Sequence, residues 1–182
     1  MKKHPSIGCC GIDCILCPRY YTDGPSACPG CGAPDFKEKH PSCGFVTCCV
    51  VKHGYETCAD CPDYPCSRFD KERSGLDSFV THRKVFENLD TIRDKGLKSF
   101  LKSQKIRSGI LEALLKDFDD GRSKSYFCLT CALLPEGDIQ ALNDTLPAIP
   151  FHFEVKDKNK LVRSLIDLLA RQRGIELTLR KK

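Results

Sequence analysis

Cysteine carries most of the chemistry available to this chain. Fourteen cysteines occur in 182 residues, and twelve of them lie between Cys9 and Cys66. Their spacings repeat: Cys10-x3-Cys14-x2-Cys17, Cys28-x2-Cys31, Cys43-x4-Cys48 and Cys58-x2-Cys61-x4-Cys66. Two thiolates separated by two residues can hold one metal ion from a single turn, and two such pairs complete a tetrahedral tetrathiolate site. Ten positions are therefore candidate ligands: Cys10, Cys14, Cys17, Cys28, Cys31, Cys43, Cys48, Cys58, Cys61 and Cys66. Two four-ligand sites need eight of them. One arrangement joins Cys28 and Cys31 with Cys43 and Cys48, and Cys14 and Cys17 with Cys58 and Cys61; cross-braced arrangements are equally open. Cys9 and Cys49 each adjoin another cysteine, and adjacent residues seldom bind one ion, so both read as bystanders. His40 and His53 are further donors by type, although a lone surface histidine is more often no ligand.

Scattered Cys-x2-Cys pairs with Pro and Gly at the turn, as in Cys28-Pro29-Gly30-Cys31-Gly32, point to zinc. Proline presets such a turn, and glycine lets backbone amides approach the thiolates. An iron–sulfur cluster is the alternative, because soft thiolates suit it equally. Cys10-x3-Cys14-x2-Cys17 also has the spacing of the radical-SAM cluster loop. That chemistry resides in a βα barrel, and nothing after residue 66 alternates strand with helix.

These ligands need elements to hold them. The first seventy residues are rich in Cys, Gly and Pro and poor in large aliphatics, so they require staples to fold. Disulfides would need an oxidising compartment. The opening residues carry no secretory run and no stretch is long enough to cross a membrane, so a cytoplasmic location with reduced, metal-bound cysteines is expected. Residues 1–70 have net charge −1 and residues 71–182 have +6, within a total of +5. Two zinc tetrathiolate sites would bring the total to about +1, so the basic balance argues little for nucleic acid.

Residues 1–8 read as a flexible lead-in. After Ser67 the pattern turns helical. Leu76, Phe79, Val80, Phe86, Leu89 and Ile92 recur at helical intervals, with Ser74-x-x-Asp77 as a start signal. Gly96 ends or bends that helix. Leu97, Phe100 and Leu101 start a second, and Ile110 to Phe118 mark a third. Asp119-Asp120-Gly121 is a turn. Tyr126 to Leu134 and residues 136–145 are shorter helices, and Leu161 to Leu169 form an amphipathic one. Phe151 to Val155 and Ile175 to Arg180 alternate like short strands. The expected fold is α+β and mostly α: a small cysteine-rich, metal-stabilised module at 1–70, packed on a helical domain at 71–182 with a possible C-terminal strand.

On these residues the chain resembles a known prokaryotic cysteine-rich family, domain of unknown function 3795. Members open with Cys-Gly-Leu-Asp-Cys-x-x-Cys-Pro-x-Tyr, matched here by Cys10-Gly11-Ile12-Asp13-Cys14-Ile15-Leu16-Cys17-Pro18-Arg19-Tyr20. They also carry Cys-x-x-Cys-Pro-x-Tyr-Pro-Cys, matched by Cys58 to Cys66. The resemblance extends to Asp120 to Ser125, Cys128 and Leu133-Leu134-Pro135, and it departs at Cys131, where a small residue is expected. It implies no established activity.

No P-loop, dinucleotide glycine motif, nucleophile elbow or His-Glu-x-x-His occurs, so no catalytic constellation is recognised. Cys128 and Cys131 lie in an apolar helical setting, where packing is the expected role and a late metal-ligand pair or a redox dithiol is the alternative. Lys95, Lys98, Lys102 and Lys105, with Arg107, share a helix face that reads as solvated rather than phosphate-binding. The expected function is therefore a cytoplasmic metal-binding protein with one or two structural zinc-thiolate sites supporting a protein partner. Nucleic acid is a weaker partner, membrane is none, and an iron–sulfur or thiol redox or metal-handling protein is the alternative.

Overall fold

The protein is described by a computed structural model covering residues 2–40 and 42–181. It is mostly helical, 55% helix against 1% strand, so the α+β expectation resolves to α. Among the described residues the β component is a single bridge between Ile7 and Asp13. The two expected strands are absent. Residues 151–153 form a turn that leads into a helix, and residues 175–181 join no strand ladder among the described residues.

The chain forms two compact units, Met1–Lys102 with Leu179–Lys182, and Ser103–Thr178. In the first unit the cysteine-rich stretch has only short turns of helix. These are α1 (Phe36–Lys39), α2 (Gly44–Val46) continued by a wide turn at Thr47–Lys52, and single 3-10 turns at Cys14–Leu16, Cys58–Asp60, Ser67–Phe69 and Glu72–Ser74. Frequent Gly, Pro and Cys allow nothing longer. Backbone bonds between turns tie the knuckles together instead. Cys58 N–H donates to the Cys9 carbonyl at 2.8 Å, Cys31 N–H to Pro5 at 2.9 Å, and Cys28 N–H to Arg19 at 3.0 Å.

Residues 2–8 are not the loose lead-in expected. Ile7 is fully buried, and the Lys2 ammonium donates to the Glu56 carbonyl while the Glu56 carboxylate accepts from the Lys3 and His4 amides. The segment is the partner that satisfies the Cys28–Cys31 turn.

Helix α3 (Val85–Lys95) supplies the apolar floor. Its Val85, Leu89 and Ile92 pack with Ile7, Cys10, Tyr64 and Phe69 in one core. Phe69 is fully buried and meets the rings of Phe45, Tyr64 and Phe86 at 4.9, 5.3 and 5.6 Å. Asn88 Nδ2 donates to the Gly11 carbonyl at 2.9 Å, and the Tyr64 hydroxyl to Asp90 at 3.0 Å. Gly11 has φ +91°, and a Cβ there would lie 2.4 Å from the Val85 carbonyl oxygen. Only glycine permits both that backbone and that approach.

The helix expected to start near Leu76 starts at Val85. The Asp77 carboxylate, buried completely, accepts from His82 N–H at 2.7 Å and Thr81 Oγ1 at 3.1 Å, and it bonds the Arg180 amide at 2.9 Å. These bonds hold residues 77–83 as a loop, in competition with helix.

The expected second and third helices are one, α4 (Leu97–Asp117). It runs through Gly109, which costs a helix only about 1 kcal/mol relative to alanine. In the second unit its later turns pack with α5 (Lys124–Leu133), α6 (Glu136–Thr145) and α7 (Val155–Gln172), around Leu111, Leu114, Phe127, Ile139, Val162 and Ile166. Helix ends are capped by side chains from elsewhere. Arg107 donates to the carbonyls of Cys131 and Leu134 at 2.7 and 2.9 Å, at the C-terminus of α5. Asn159 Nδ2 donates to the Phe118 carbonyl at 2.7 Å. Cys128 and Cys131 are buried in α5 among these apolar groups. Lys95 ends α3 whereas Lys98, Lys102 and Lys105 lie on α4, so the four do not share one helix face as expected; all are exposed.

Candidate metal centres

The ten candidate cysteines divide between two pockets of the first unit. The first is ringed by Cys10, Cys14, Cys17, Cys28, Cys31 and Cys43. Phe36, Phe79 and Val80 give it an apolar wall, and His40, stacked on Phe36 at 4.6 Å, stands at its edge. The second is lined by Cys48, Cys49, Cys58, Cys61 and Cys66, with His53, Tyr55, Tyr64 and Phe69. This grouping differs from the arrangement considered above. Cys14 and Cys17 share a pocket with Cys28 and Cys31, while Cys48 joins Cys58 and Cys61. The reason is tertiary: the Cys28–Cys31 turn is bonded back to Pro5 and Arg19, beside the first knuckle, whereas the turn at Thr47–Lys52 carries Cys48 away from Cys43 toward Tyr55.

Cys9 and Cys49 are less peripheral than their neighbours in sequence suggest. Both are buried with Cys31 in one cluster. Cys9 Sγ lies 3.6 Å from Cys31 Sγ, and Cys9 N–H donates to the same sulfur at 3.4 Å. Cys49 hydrogen-bonds with both Cys9 and Cys58. Neither residue lies in a Cys-x2-Cys spacing, so only their burial identifies them.

Backbone amides are aimed at several sulfurs. Ile12 N–H faces Cys10, Arg19 and Tyr20 N–H face Cys17, and Cys31 N–H faces Cys14. Amides two and three residues beyond a cysteine stabilise a thiolate and orient it toward a metal. Without a cation the same sulfurs are held neutral. Burial pushes the Cys10 thiol up to about 12, against the opposing Ile12 amide, and raises Cys14 and Cys17. Mutual repulsion adds to this, from Cys31 and Cys43 on Cys10, and from Cys28 on Cys17. A bound cation reverses that balance by stabilising every thiolate at once.

None of the fourteen cysteines is in a disulfide. Among the described residues no group of three or more Cys, His, Asp or Glu side chains is drawn together tightly enough to hold a metal ion as it stands. A zinc–sulfur bond of about 2.3 Å places tetrahedral thiolates about 3.8 Å apart. The pocket cysteines surround a space rather than meeting at a point, yet their donor type fits a thiophilic metal centre. Among the described residues no helix is long and apolar enough to cross a membrane. No known family, curated protein or solved structure matches the chain, so the two cysteine-ringed pockets are what speaks for its function.

Proposed function

We propose that this protein is a thiolate metal protein with one centre in each cysteine pocket, and that the first pocket holds an iron–sulfur cluster. The observation that carries this reading is the ring of six thiols around a partly apolar cavity. A multi-atom cluster needs such a ring, because its ligands bind different irons and stay apart. When bound, the cluster would supply one-electron chemistry. The chain would hold it through Cys10, Cys14, Cys17, Cys28, Cys31 and Cys43, of which four suffice. Ile12, Arg19 and Tyr20 would donate amide hydrogen bonds to the thiolates, and Phe36, Phe79 and Val80 would keep water from the cluster's face. The role is then electron transfer or metal handling in a reducing, cytoplasmic compartment.

Structural zinc is the second reading, with the protein acting through a protein partner. It is favoured by the 3.6 Å separation of Cys9 and Cys31, which is close to the edge of a zinc tetrathiolate. One sample tests both readings. Protein purified without oxygen is analysed for metal by mass spectrometry, for acid-labile sulfide, and by visible absorption. Iron with equimolar sulfide and a brown colour support the cluster. A colourless protein with about two zinc per chain, as two four-thiolate sites require, replaces it with the structural module. Absence of both metals would defeat either reading.

A further inference from the structure

The loop before α3 brings together three side chains that the metal pockets do not use. Ser78 Oγ lies 2.9 Å from His82 Nε2, and His82 Nδ1 lies 2.5 Å from Glu72 Oε2. An ionised carboxylate can only accept, so Nδ1 carries the proton and donates it to Glu72. In the neutral ring that leaves the Nε2 lone pair facing the serine. Val80 N–H, 3.5 Å away, is directed at the same hydroxyl oxygen, which turns the hydroxyl proton toward the imidazole. Nucleophile, base and orienting carboxylate therefore stand in the order that activates a serine.

The constellation is rigid on one side and open on the other. Glu72 and His82 keep 11% and 16% of their side-chain surface, whereas Ser78 is exposed. The buried Asp77 fixes the loop from beneath by accepting from the His82 amide, Thr81 Oγ1 and the Arg180 amide, with the Arg83 guanidinium 3.4 Å away. An ion pair that only pinned this loop would be complete with Glu72 and His82. It would not need a solvent-facing hydroxyl on the outer nitrogen of the ring. The next residue, Phe79, is 44% exposed and carries the Arg19 guanidinium 4.4 Å over its ring. The residue after the nucleophile thus offers an exposed apolar ring, with the Arg19 charge over that ring.

We propose that Ser78, His82 and Glu72 form a serine esterase site, acting on small acyl esters whose apolar part lies against Phe79. Ser78 Oγ attacks the ester carbonyl carbon, and its proton passes to His82 Nε2. The carbonyl oxygen takes the negative charge. The tetrahedral intermediate collapses by breaking the bond to the alcohol oxygen, which leaves with the proton from His82. Water then attacks the acyl-serine and gives its proton to His82. The carboxylic acid departs and Ser78 recovers its proton, so ester and water become acid and alcohol. Glu72 holds the ring tautomer and offsets the imidazolium charge in both halves.

The sequence alone hides this site. Ser78 and His82 are four apart, but not on a helix, and Glu72 reaches them only through the turn at Glu72–Ser74.

The test uses the full metal-loaded chain and a fluorophosphonate probe, which forms a stable bond to activated serines and leaves the many thiols aside. Peptide mass spectrometry locates the label, and hydrolysis of p-nitrophenyl acetate is followed in parallel. The expected result is one phosphonylated residue, Ser78, with label and serine-dependent hydrolysis both absent in Ser78→Ala. Because Ser78 is exposed, that change leaves the fold intact, and circular dichroism checks this. His82→Gln is expected to slow labelling about a hundredfold or more, the scale of a general base. Absence of label at Ser78, or labelling at the same rate in a folded His82→Gln protein, would overturn the proposal. Metal content is read on the same samples, so failure of this site is distinguishable from failure of the metal assignment.

Discussion

Replacing Gly11 with alanine tests how the first knuckle is held. Gly11 has φ +91°, and an added Cβ would meet the Val85 carbonyl oxygen at 2.4 Å and Leu89 Cγ at 2.8 Å. The backbone conformation alone costs about 1–2 kcal/mol for an L-residue. The overlap lies against helix backbone, so α3 must move away from the knuckle, at a further cost of about 1–3 kcal/mol for forced packing. That movement also stretches the Asn88 bond to the Gly11 carbonyl, about 1 kcal/mol more. The expected total is about 4 kcal/mol. Gly75→Ala is the internal control: its φ is +66°, with nothing within 4 Å of the added Cβ, so only the backbone cost of about 1 kcal/mol applies. Urea unfolding of both variants, followed by circular dichroism, measures the difference. Bound metal after gel filtration shows whether Cys10 has been displaced with its neighbour. Destabilisation of the two variants within about 0.5 kcal/mol of each other would refute the close packing of knuckle on helix.

Three further outcomes are expected. Changing Cys14, Cys17 and Cys28 together to serine leaves three of the six thiols, fewer than the four required, and removes metal from the first pocket, while Cys128→Ser, buried in α5, leaves metal content unchanged; metal analysis after gel filtration separates them. Phe69→Ala empties the centre of the first unit's aromatic cluster and lowers stability by about 3–5 kcal/mol, read from urea unfolding. The third concerns pH. Burial pushes the Cys10 thiol up to about 12 from an ordinary value of 9.0, so above pH 9 the unfolded state has released a proton that the fold retains. Stability of the metal-free protein therefore falls as pH rises from 9 toward 12 and is unaffected by this group below 9. Thermal melts at pH 8, 9.5 and 11 check the sign, and metal-loaded protein, with its thiolates already formed, lacks this dependence.

Much of the helical architecture is legible in the residues themselves. The helical period from Leu161 to Leu169, the Pro135 that stops α5, and Gly96 between α3 and α4 are local signals, set by helix period and backbone sterics within a few residues, although it is Val162 and Ile166 of that run that are buried while Leu161, Leu165 and Leu168 stay exposed. The cysteine spacings likewise identify which turns can present paired thiols, because that reach depends on a single turn. What lies beyond is non-local. Which knuckles share a pocket is decided by the Cys31–Pro5 and Cys58–Cys9 backbone bonds, which join residues 26 and 49 positions apart and leave no spacing signature. The same holds for the buried sulfurs of Cys9 and Cys49 and for the packing of residues 2–8. It holds most clearly for residues 74–84. There the local pattern reads as helix, yet one buried carboxylate, Asp77, bonded to the Arg180 amide 103 residues away, turns the segment into the loop that joins Ser78, His82 and Glu72. Local sterics and periodicity are written in neighbouring residues; satisfaction of a buried charge depends on whatever the fold brings to it.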